Sequence, residues 1–248
     1  MKYKTVAIVE TVYSPLILDI KHHFQKIKET LFKQRNTIKI ITFNEKKYAV
    51  KSFKIPHLLN QVVYKFFRKS KAQRSYENSV KLMELKVNTP KPIGYIGFST
   101  LFLFKESYYV SELFEYDFEI RAVFKDKNFN DRERVLKEFI AFTYDLHEKG
   151  VYHIDYSLGN ILIKKIDNKY IFSIIDVNRM KFITLNNTLR MQNLSKLTKE
   201  KEDIEYLLKE YALISTRDEN VLSVALEEAI RKQQHYLENK KRLKKLKS

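Results

Sequence analysis

Short runs in which apolar and polar residues alternate occupy much of the first half of the chain, and this is the pattern of half-buried β-strands. Strands are predicted for VAIVE (residues 6–10), TIKIITF (37–43) and KKYAVKSF (46–53), with strand-like runs at 93–98 and 101–104. The dipeptide Asn44-Glu45 lies between the second and third runs and indicates a hairpin. This part of the chain is therefore expected to form an antiparallel sheet.

Helical spacing of apolar residues predicts helices beside and beyond these strands. One helix is expected after a turn at Pro15, with Ile17, Ile20, Phe24, Ile27 and Leu31 on one side. Another is expected over residues 131–149, where Asn130 and Glu133 resemble a capping box and Gly150 ends the pattern. Further helices are predicted over residues 55–71, over 71–87, in part of 180–215 and from Asn220 into the basic tail.

The helix predicted over residues 55–71 is both amphipathic and basic. Its apolar rows contain Leu58, Val62 and Phe66, and Leu59, Val63 and Phe67. Two interpretations compete, since such a helix can pack on the protein or lie on an anionic membrane surface. We expect it to pack on the protein, because most apolar stripes face a core. The basic tail at 240–247 is expected to be solvated, with membrane contact as the alternative.

Composition adds limits to this picture. The 248 residues, of which 44% are hydrophobic, are enough for one domain or a closely packed two-lobed unit. The absence of cysteine excludes disulfides and thiolate metal sites. The N-terminal residues lack the apolar stretch of a signal peptide, and nowhere do 18 apolar residues follow one another. A cytoplasmic location is therefore expected.

The charge is the unusual property of the composition. The chain has 47 Lys and Arg against 30 Asp and Glu, a net charge of +17. Such a field attracts nucleic acid, an anionic membrane or a phosphorylated substrate, although it can also be no more than a lysine-rich solvated surface. Because the basic residues are spread along the chain and no nucleic-acid-binding module is present, nucleic acid is not an expected partner.

The residues with the clearest chemical pattern lie between positions 151 and 182. Asp155 and Asn160 are separated by the five-residue step of a kinase catalytic loop, and Asp176 follows the apolar runs 161–163 and 171–175. Phosphoryl transfer needs a carboxylate that orients the attacking hydroxyl, an oxygen ligand for magnesium and a second carboxylate that bridges the metal and the phosphates. Asp155, Asn160 and Asp176 supply these groups in chain order. Turn formation by Asp and Asn is the alternative explanation.

Three earlier positions extend this pattern. Lys51 ends Tyr-Ala-Val-Lys, which resembles the strand whose lysine holds the α- and β-phosphates in kinases. Glu77 lies on the next predicted helix but one, where a kinase has the glutamate that pairs with this lysine. SYYVSELFEY (107–116) occupies the place of the hinge that holds adenine, with Glu112 and Leu113 as the expected contacts.

These segments together resemble the lipopolysaccharide kinase family, the Kdo and heptose kinases of the protein-kinase-like superfamily, and most closely its Bacteroidetes-type members. The segments that carry the resemblance, within residues 35–185, are YAVKSFKIP, RKSKAQRSYENSVKL, TPKPIGY, SYYVSE, DLHEKGVYHIDYSLGNILI and IIDVNRMKF.

The resemblance implies an α+β, two-lobed kinase fold, with a small antiparallel-sheet lobe at residues 1–116 and a mainly helical lobe at 117–248. It implies ATP and Mg²⁺ as cofactors, and transfer of the γ-phosphate to a sugar hydroxyl of a lipid A–Kdo type glycolipid. It makes Asp155 the catalytic base and Asn160 and Asp176 the metal ligands, with Lys51 on the phosphates and Glu77 as its ion-pair partner. Peripheral association with an anionic membrane is then a possible extension.

The sequence also departs from protein kinases. No glycine-rich loop precedes Lys51, the metal motif is Asp176-Val177-Asn178, and residue 157 is Ser in place of a lysine. These departures favour a small-molecule or glycolipid acceptor over a protein. Two alternatives stay open: a pseudokinase or basic binding module that uses the scaffold without turnover, and a soluble kinase of another small-molecule alcohol.

Overall fold

The structure is a computed structural model that describes residues 3–33 and 36–245. The described residues form two compact units. The first contains the described residues up to Glu115 together with Ser173–Arg179, and the second contains Tyr116–Phe172 and the described residues from Met180 onwards. Residues 173–179 were predicted to belong to the lobe at 117–248. They pack within the first unit instead, where Ile174 N–H donates to the Asn88 carbonyl and Thr89 Oγ1 donates to the Ile174 carbonyl.

An antiparallel sheet of six strands forms the centre of the first unit, in the spatial order β1-β5-β6-β4-β3-β2. The predicted antiparallel sheet is thus confirmed. Its strands are β1 (Tyr3–Ile8), β2 (Phe32–Lys33), β3 (Asn36–Phe43), β4 (Lys46–Phe53), β5 (Pro92–Ser99) and β6 (Phe104–Glu112).

Two details of this sheet test the sequence patterns. Asn44 and Glu45 connect β3 and β4 with φ values of 47° and 62°, as a tight two-residue hairpin turn requires. The strand-like run at 101–104 is not a separate strand, because Thr100 N–H donates to the Leu103 carbonyl across a turn and Phe104 is the first residue of β6. Leu101 and Phe102 are exposed at this turn.

Four helices belong to the first unit: α1 (Ser14–Leu18), α2 (Ile20–Lys26), α3 (Leu58–Phe66) and α4 (Lys71–Glu84). The single helix expected after Pro15 is wrong, since Pro15 lies in the first turn of α1 and the helix breaks at Asp19, whose ψ is 25°. Leu16, Ile17 and Ile20 are fully buried against one face of the sheet. Helix α4 packs on the opposite face, where Ala72 joins a cluster with Tyr95 and Tyr109.

The orientation of α3 contradicts the expectation that its apolar stripe faces the protein. Its buried residue is Gln61, whereas Leu59 and Phe67 are 84% and 83% exposed. The helix is also shorter than residues 55–71, because Ser70 begins α4 by accepting a hydrogen bond from Gln73 N–H.

The second unit contains short strands and most of the helical residues described. Its strands are β7 (Phe118–Glu119), β8 (Val151–His153), β9 (Ile161–Ile166), β10 (Lys169–Ile174), whose last two residues belong to the first unit, and β11 (Met180–Phe182). Its helices are α5 (Ile120–Lys125), α6 (Arg132–Glu148), α7 (Asn187–Leu194), α8 (Lys201–Ser215) and α9 (Glu219–Lys245). The order β10-β9-β7 forms one sheet and β11-β8 another. The two apolar runs that precede Asp176 were predicted to be strands, and β9 and β10 confirm this prediction.

Helix α6 ends as the sequence predicts and begins differently. Gly150 follows it with a φ of 71°, a conformation that favours glycine, and its N–H donates to the His147 carbonyl. The expected capping box is wrong, because the residue at the N-cap is Asp131, with a φ of 57° and no side-chain capping bond. Helix α9 continues into the basic tail, whose residues 246–247 lie outside the described residues.

Among the helices described in residues 3–33 and 36–245, none combines the length and apolar character of a membrane span.

Candidate active site

Lys51 and Asp176 form a partly buried ion pair in the first unit. Lys51 lies on β4, where alternation directs Tyr48 and Val50 to the α1–α2 face and Lys51 to the face covered by α4. Its Nζ is 2.6 Å from Asp176 Oδ1, and the side chains of Lys51 and Asp176 are 15% and 33% exposed. The structure therefore brings together the two groups that were predicted to hold phosphate and metal.

The turn that carries Asp176 is held in a specific conformation. Asp176 has a φ of 57°, which L-residues adopt at a cost unless their surroundings hold them there. Asn178 Nδ2 donates to Asp176 Oδ1 at 2.7 Å, and Asn78 Nδ2 on α4 donates to the Val177 carbonyl at 2.7 Å. Asn178 was named from the sequence only as part of the Asp176-Val177-Asn178 motif, with no role of its own, and Asn78 was not singled out. Asn178 had a local signal, because it stands two residues after an aspartate, but Asn78 had none.

Glu77 does not pair with Lys51, and this part of the prediction is wrong. Both carboxylate oxygens of Glu77 lie 2.9 Å from Lys69 Nζ, and Gln73 Nε2 donates to Oε1 at 3.0 Å. The cause is local: Gln73 is one turn earlier on α4, and Lys69 lies in the short connection between α3 and α4. In this structure the partner of Lys51 is Asp176 instead.

Glu112 and Leu113 lie at the end of β6, and the sheet uses the backbone amides of both. Glu112 N–H donates to the Lys91 carbonyl and Leu113 N–H to the Lys47 carbonyl. The Glu112 carboxylate is also 3.8 Å from Lys91 Nζ. Contact of these two residues with adenine stays a prediction, and it involves groups other than these amide hydrogens.

Asp155 and Asn160 lie together in one loop of the second unit, between β8 and β9. Asn160 ends a 3₁₀ turn at Leu158–Asn160, and its Nδ2 donates to the Asp155 carbonyl at 2.9 Å. Asp155 N–H donates to His153 Nδ1 at 3.0 Å. Because the amide nitrogen of Asn160 is used inside the loop, its Oδ1 is the side-chain atom left to bind a cation.

A buried chain of hydrogen bonds leads from α7 and α8 to this loop. Arg190 Nη1 donates to the Tyr211 hydroxyl at 3.0 Å, and that hydroxyl lies 2.7 Å from His147 Nδ1. His147 Nε2 lies 3.3 Å from Asn193 Oδ1, and Asn193 Nδ2 donates to the His153 carbonyl at 3.0 Å. Since Asn193 Oδ1 can only accept, His147 carries its proton on Nε2 and accepts from Tyr211 at Nδ1. Each hydrogen bond from Arg190 to the His153 carbonyl then has a defined donor and a defined acceptor.

The electrostatics agree with this assignment. Burial lowers the pKa of His147 to about 3, the positive charge of Arg190 acts in the same direction, and the hydrogen bond with Asn193 opposes them. Burial also raises the pKa of Tyr211 to about 12. The imidazole is therefore neutral and the phenol protonated at pH 7, as the chain requires. The roles of His147, Asn193 and Tyr211 were not predicted, because their contacts join positions about 40 to 60 residues apart in the sequence.

Three other contacts hold the same loop. Lys196 Nζ donates to the Ile154 carbonyl at 2.9 Å, and the hydroxyls of Tyr156 and Thr143 lie 2.7 Å apart in the core. Arg121 covers Gly159 so closely that a Cβ there would lie 2.0 Å from its Nη2. The backbone around Asp155 is thus fixed from several directions, which suits the role predicted for Asp155 in orienting a reacting hydroxyl.

Comparison with known protein families identifies the family to which this chain belongs. The sequence profile described as the lipopolysaccharide kinase (Kdo/WaaP) family matches residues 25–216, well over half of the chain. The chain belongs to the lipopolysaccharide kinase family. It is therefore a phosphotransferase with an alcohol group as acceptor, as the sequence motifs predicted.

Solved structures confirm the fold of this lipopolysaccharide kinase. WaaP in complex with acyl carrier protein is similar over 92% of this chain and 98% of WaaP, with a TM-score of 0.62 and 16% identity. The Rio2 kinase–ADP/Mg²⁺–phosphoaspartate complex from Chaetomium thermophilum is similar over 88% of this chain and 76% of Rio2, with a TM-score of 0.52 and 16% identity. The predicted two-lobed kinase fold is confirmed. A search among curated proteins finds no match.

The donor groups of this kinase fit a magnesium ion that arrives with its nucleotide. In residues 3–33 and 36–245, no three or more His, Cys, Asp or Glu side chains are grouped to hold a metal. The predicted ligands are one carboxylate, Asp176, and one amide oxygen, Asn160 Oδ1. Mg²⁺ in phosphotransferases takes only one or two protein ligands and fills its shell with phosphate oxygens and water. Asp176 in the first unit and Asn160 in the second are therefore each of a residue type that Mg²⁺ accepts as a ligand.

Proposed function

We propose that this lipopolysaccharide kinase transfers the γ-phosphate of ATP to a hydroxyl of the inner core, on Kdo or heptose attached to lipid A, at the cytoplasmic face of the membrane. The observation that carries the proposal is the ion pair of Lys51 with Asp176, in a chain that belongs to this family. A lysine and a carboxylate in this arrangement suit a site for nucleotide phosphates and their metal.

Each residue has a defined task in this reaction. Lys51 Nζ neutralises the α- and β-phosphates, and Glu112 and Leu113 border the adenine. Asp176 and Asn160 Oδ1 would hold Mg²⁺, which when bound would spread the charge of the phosphates. Asp155 would accept the hydrogen bond of the attacking sugar hydroxyl and take its proton as the bond from the sugar oxygen to Pγ forms and the bond from Pγ to the β–γ bridging oxygen breaks, releasing ADP. The catalysis is mainly positioning and charge stabilisation, which is typical of phosphoryl transfer.

A catalytically silent member of the family is the second candidate. Two observations favour it: Glu77 pairs with Lys69 and not with Lys51, and the chain before Lys51 lacks a glycine-rich loop. Such a protein keeps the scaffold and binds its glycolipid without turnover.

ATP consumption by the purified protein separates these candidates. We expect turnover that requires Mg²⁺ and a lipid A–Kdo acceptor and that falls by about 10²–10⁴-fold in Asp155→Ala, because this variant removes the base. Asp145→Ala is the matched control, since Asp145 is an exposed aspartate of α6 that pairs with Lys149. Acceptor-independent turnover, or equal loss in both variants, contradicts the proposal. ATP binding without any turnover supports the silent candidate.

A further inference from the structure

Helix α3 presents its apolar side to solvent. The exposed side chains are Leu58 (63%), Leu59 (84%), Val62 (38%), Val63 (39%), Phe66 (54%) and, directly after the helix, Phe67 (83%). A row of large apolar side chains this exposed is uncommon on a soluble protein, and it marks an interaction surface when it is continuous.

The opposite side of α3 is polar, and this is the side that holds the helix to the sheet. Gln61 Nε2 donates to the Pro56 carbonyl at 3.0 Å, and its Oε1 accepts from Lys105 Nζ at 3.2 Å. Lys65 Nζ donates to Ser99 Oγ at 3.0 Å. Since these bonds fix the rotation of the helix, the apolar exposure is built into the fold and does not come from a helix that has failed to dock.

The charged residues of this segment are all basic. Residues 54–71 contain five Lys or Arg and no Asp or Glu, and Lys69 is paired with Glu77 of α4. Lys65, Arg68 and Lys69 line a cavity of about 310 Å³ beside Phe66 and Phe67. Arg68 also lies over the Tyr64 ring at 5.4 Å, and that ring packs against Phe104 of β6. Apolar side chains bordered by basic ones are the composition of helices that lie in the interface of an anionic bilayer.

We propose that α3 together with Phe67 forms a membrane-docking face that binds an anionic lipid bilayer. Leu59 and Phe67 enter the boundary between headgroups and acyl chains, while Arg68 contacts lipid phosphates. The inference rests on the proposed function, because an acceptor anchored by lipid A is reached only from the bilayer surface. A second copy of the chain and an acidic protein are the rival occupants of this face.

Single tryptophans test the position of the face, since the chain has no tryptophan of its own. Phe67→Trp is compared with Leu213→Trp, which changes an apolar residue of α8 that is 69% exposed. With vesicles of phosphatidylcholine and about one third phosphatidylglycerol, we expect a blue shift of Phe67→Trp emission that weakens as salt is raised. We expect no shift with phosphatidylcholine alone, and none for Leu213→Trp. An unshifted Phe67→Trp, or equal shifts in both proteins, overturns the proposal.

Vesicle cosedimentation tests the energetic part of the inference. Leu59→Ser/Phe67→Ser is expected to lower partitioning onto anionic vesicles by at least about tenfold, whereas Leu213→Ser/Val224→Ser keeps it. Retained binding in the first variant overturns the proposal. So does a wild-type dimer that this variant converts to a monomer while vesicles capture neither protein, because the face then joins two copies. If an excess of an acidic protein prevents vesicle capture of wild type but not of Leu59→Ser/Phe67→Ser, the face binds an acidic protein, and this result also overturns the membrane proposal.

Turnover on a water-soluble Kdo saccharide separates this inference from the proposed function. If both hold, Leu59→Ser/Phe67→Ser phosphorylates the soluble saccharide at the wild-type rate and loses only its activity on vesicles that contain the glycolipid. If wild type shows vesicle binding but no turnover on either acceptor, the proposed function fails while the docking face stands. If the variant also loses turnover on the soluble saccharide, the face serves the active site and the docking proposal fails.

Discussion

Protonation of His147 should make the protein sensitive to mild acid. His147 is 2% exposed, burial lowers its pKa to about 3, and an unfolded histidine titrates near its ordinary value of 6.5. The folded-state pKa is depressed, so the neutral imidazole contributes stability that is present above about pH 6.5 and is lost as the pH falls toward about 3. Between pH 7 and pH 5, this single group should reduce the free energy of unfolding by about 2 kcal/mol.

His147→Gln isolates this effect because glutamine cannot titrate and its amide can donate near the position of Nε2. We expect the variant to be less stable at pH 7, since it leaves the Tyr211 hydroxyl without its acceptor. Between pH 7 and pH 5, the free energy of unfolding of the variant should fall by about 2 kcal/mol less than that of wild type. His235→Gln, at an exposed position of α9, should keep the full dependence. Because all carboxylates are common to the three proteins, their contributions cancel.

Urea unfolding at pH 7, 6 and 5, followed by circular dichroism, measures these differences. In parallel, the ring proton signals of His147 followed by NMR should stay at neutral-imidazole positions through this range. Parallel stability curves for wild type and His147→Gln, or an imidazole that titrates near pH 6.5, would refute the directional hydrogen-bond chain.

Three further predictions concern the site itself. Asp176→Asn should weaken Mg²⁺-dependent nucleotide binding by at least about tenfold in calorimetry, because it removes the carboxylate that we propose as a metal ligand; unchanged affinity contradicts a metal role. Glu77→Gln should lower turnover much less than Lys51→Met, since Glu77 pairs with Lys69, and equal losses would show that Glu77 moves to Lys51 during the reaction. Asn193→Ala should lower the thermal midpoint, reflecting a loss of about 1–3 kcal/mol, and should lower kcat more than it raises KM; an unchanged kcat contradicts its control of the loop.

Local sequence patterns were enough to predict the sheet and to place Asp155 and Asn160 in one loop. Alternation defined β3 and β4, and the Asn44-Glu45 turn defined their register, because both are properties of adjacent residues. The step from Asp155 to Asn160 is also local, and the structure closes it with one side-chain hydrogen bond. Such features survive in a single sequence because nothing distant is needed to form them.

The rotation of a helix about its axis was not predictable in the same way. Periodicity showed that α3 has an apolar side, but the side that faces the protein was set by Gln61, Pro56 and Lys105, which belong to three different segments. The partner predicted for Glu77 was wrong for a similar reason. The position of Glu77 on α4 was anticipated, but its carboxylate is bonded to Lys69, in the connection between α3 and α4, and not to Lys51 on β4.

The side chains that support the loop of Asp155 could not be predicted from the sequence for a further reason. They are polar groups on the buried sides of amphipathic helices, where a sequence pattern counts them as interruptions of the core: Arg190, Tyr211, His147 and Asn193. Only the fold shows that they satisfy one another and end at His153. Buried polar chains of this kind impose geometry at the residues they reach, which here are the neighbours of Asp155.

The most direct test of the central claim is the mass of the acceptor after the reaction. Lipid A–Kdo is incubated with the purified protein, ATP and Mg²⁺, and the product is analysed by mass spectrometry and phosphorus NMR. The account predicts the addition of one phosphate to a saccharide hydroxyl, present with wild type and absent with Asp155→Ala. An acceptor of unchanged mass, in a preparation that binds ATP and Mg²⁺, would contradict it.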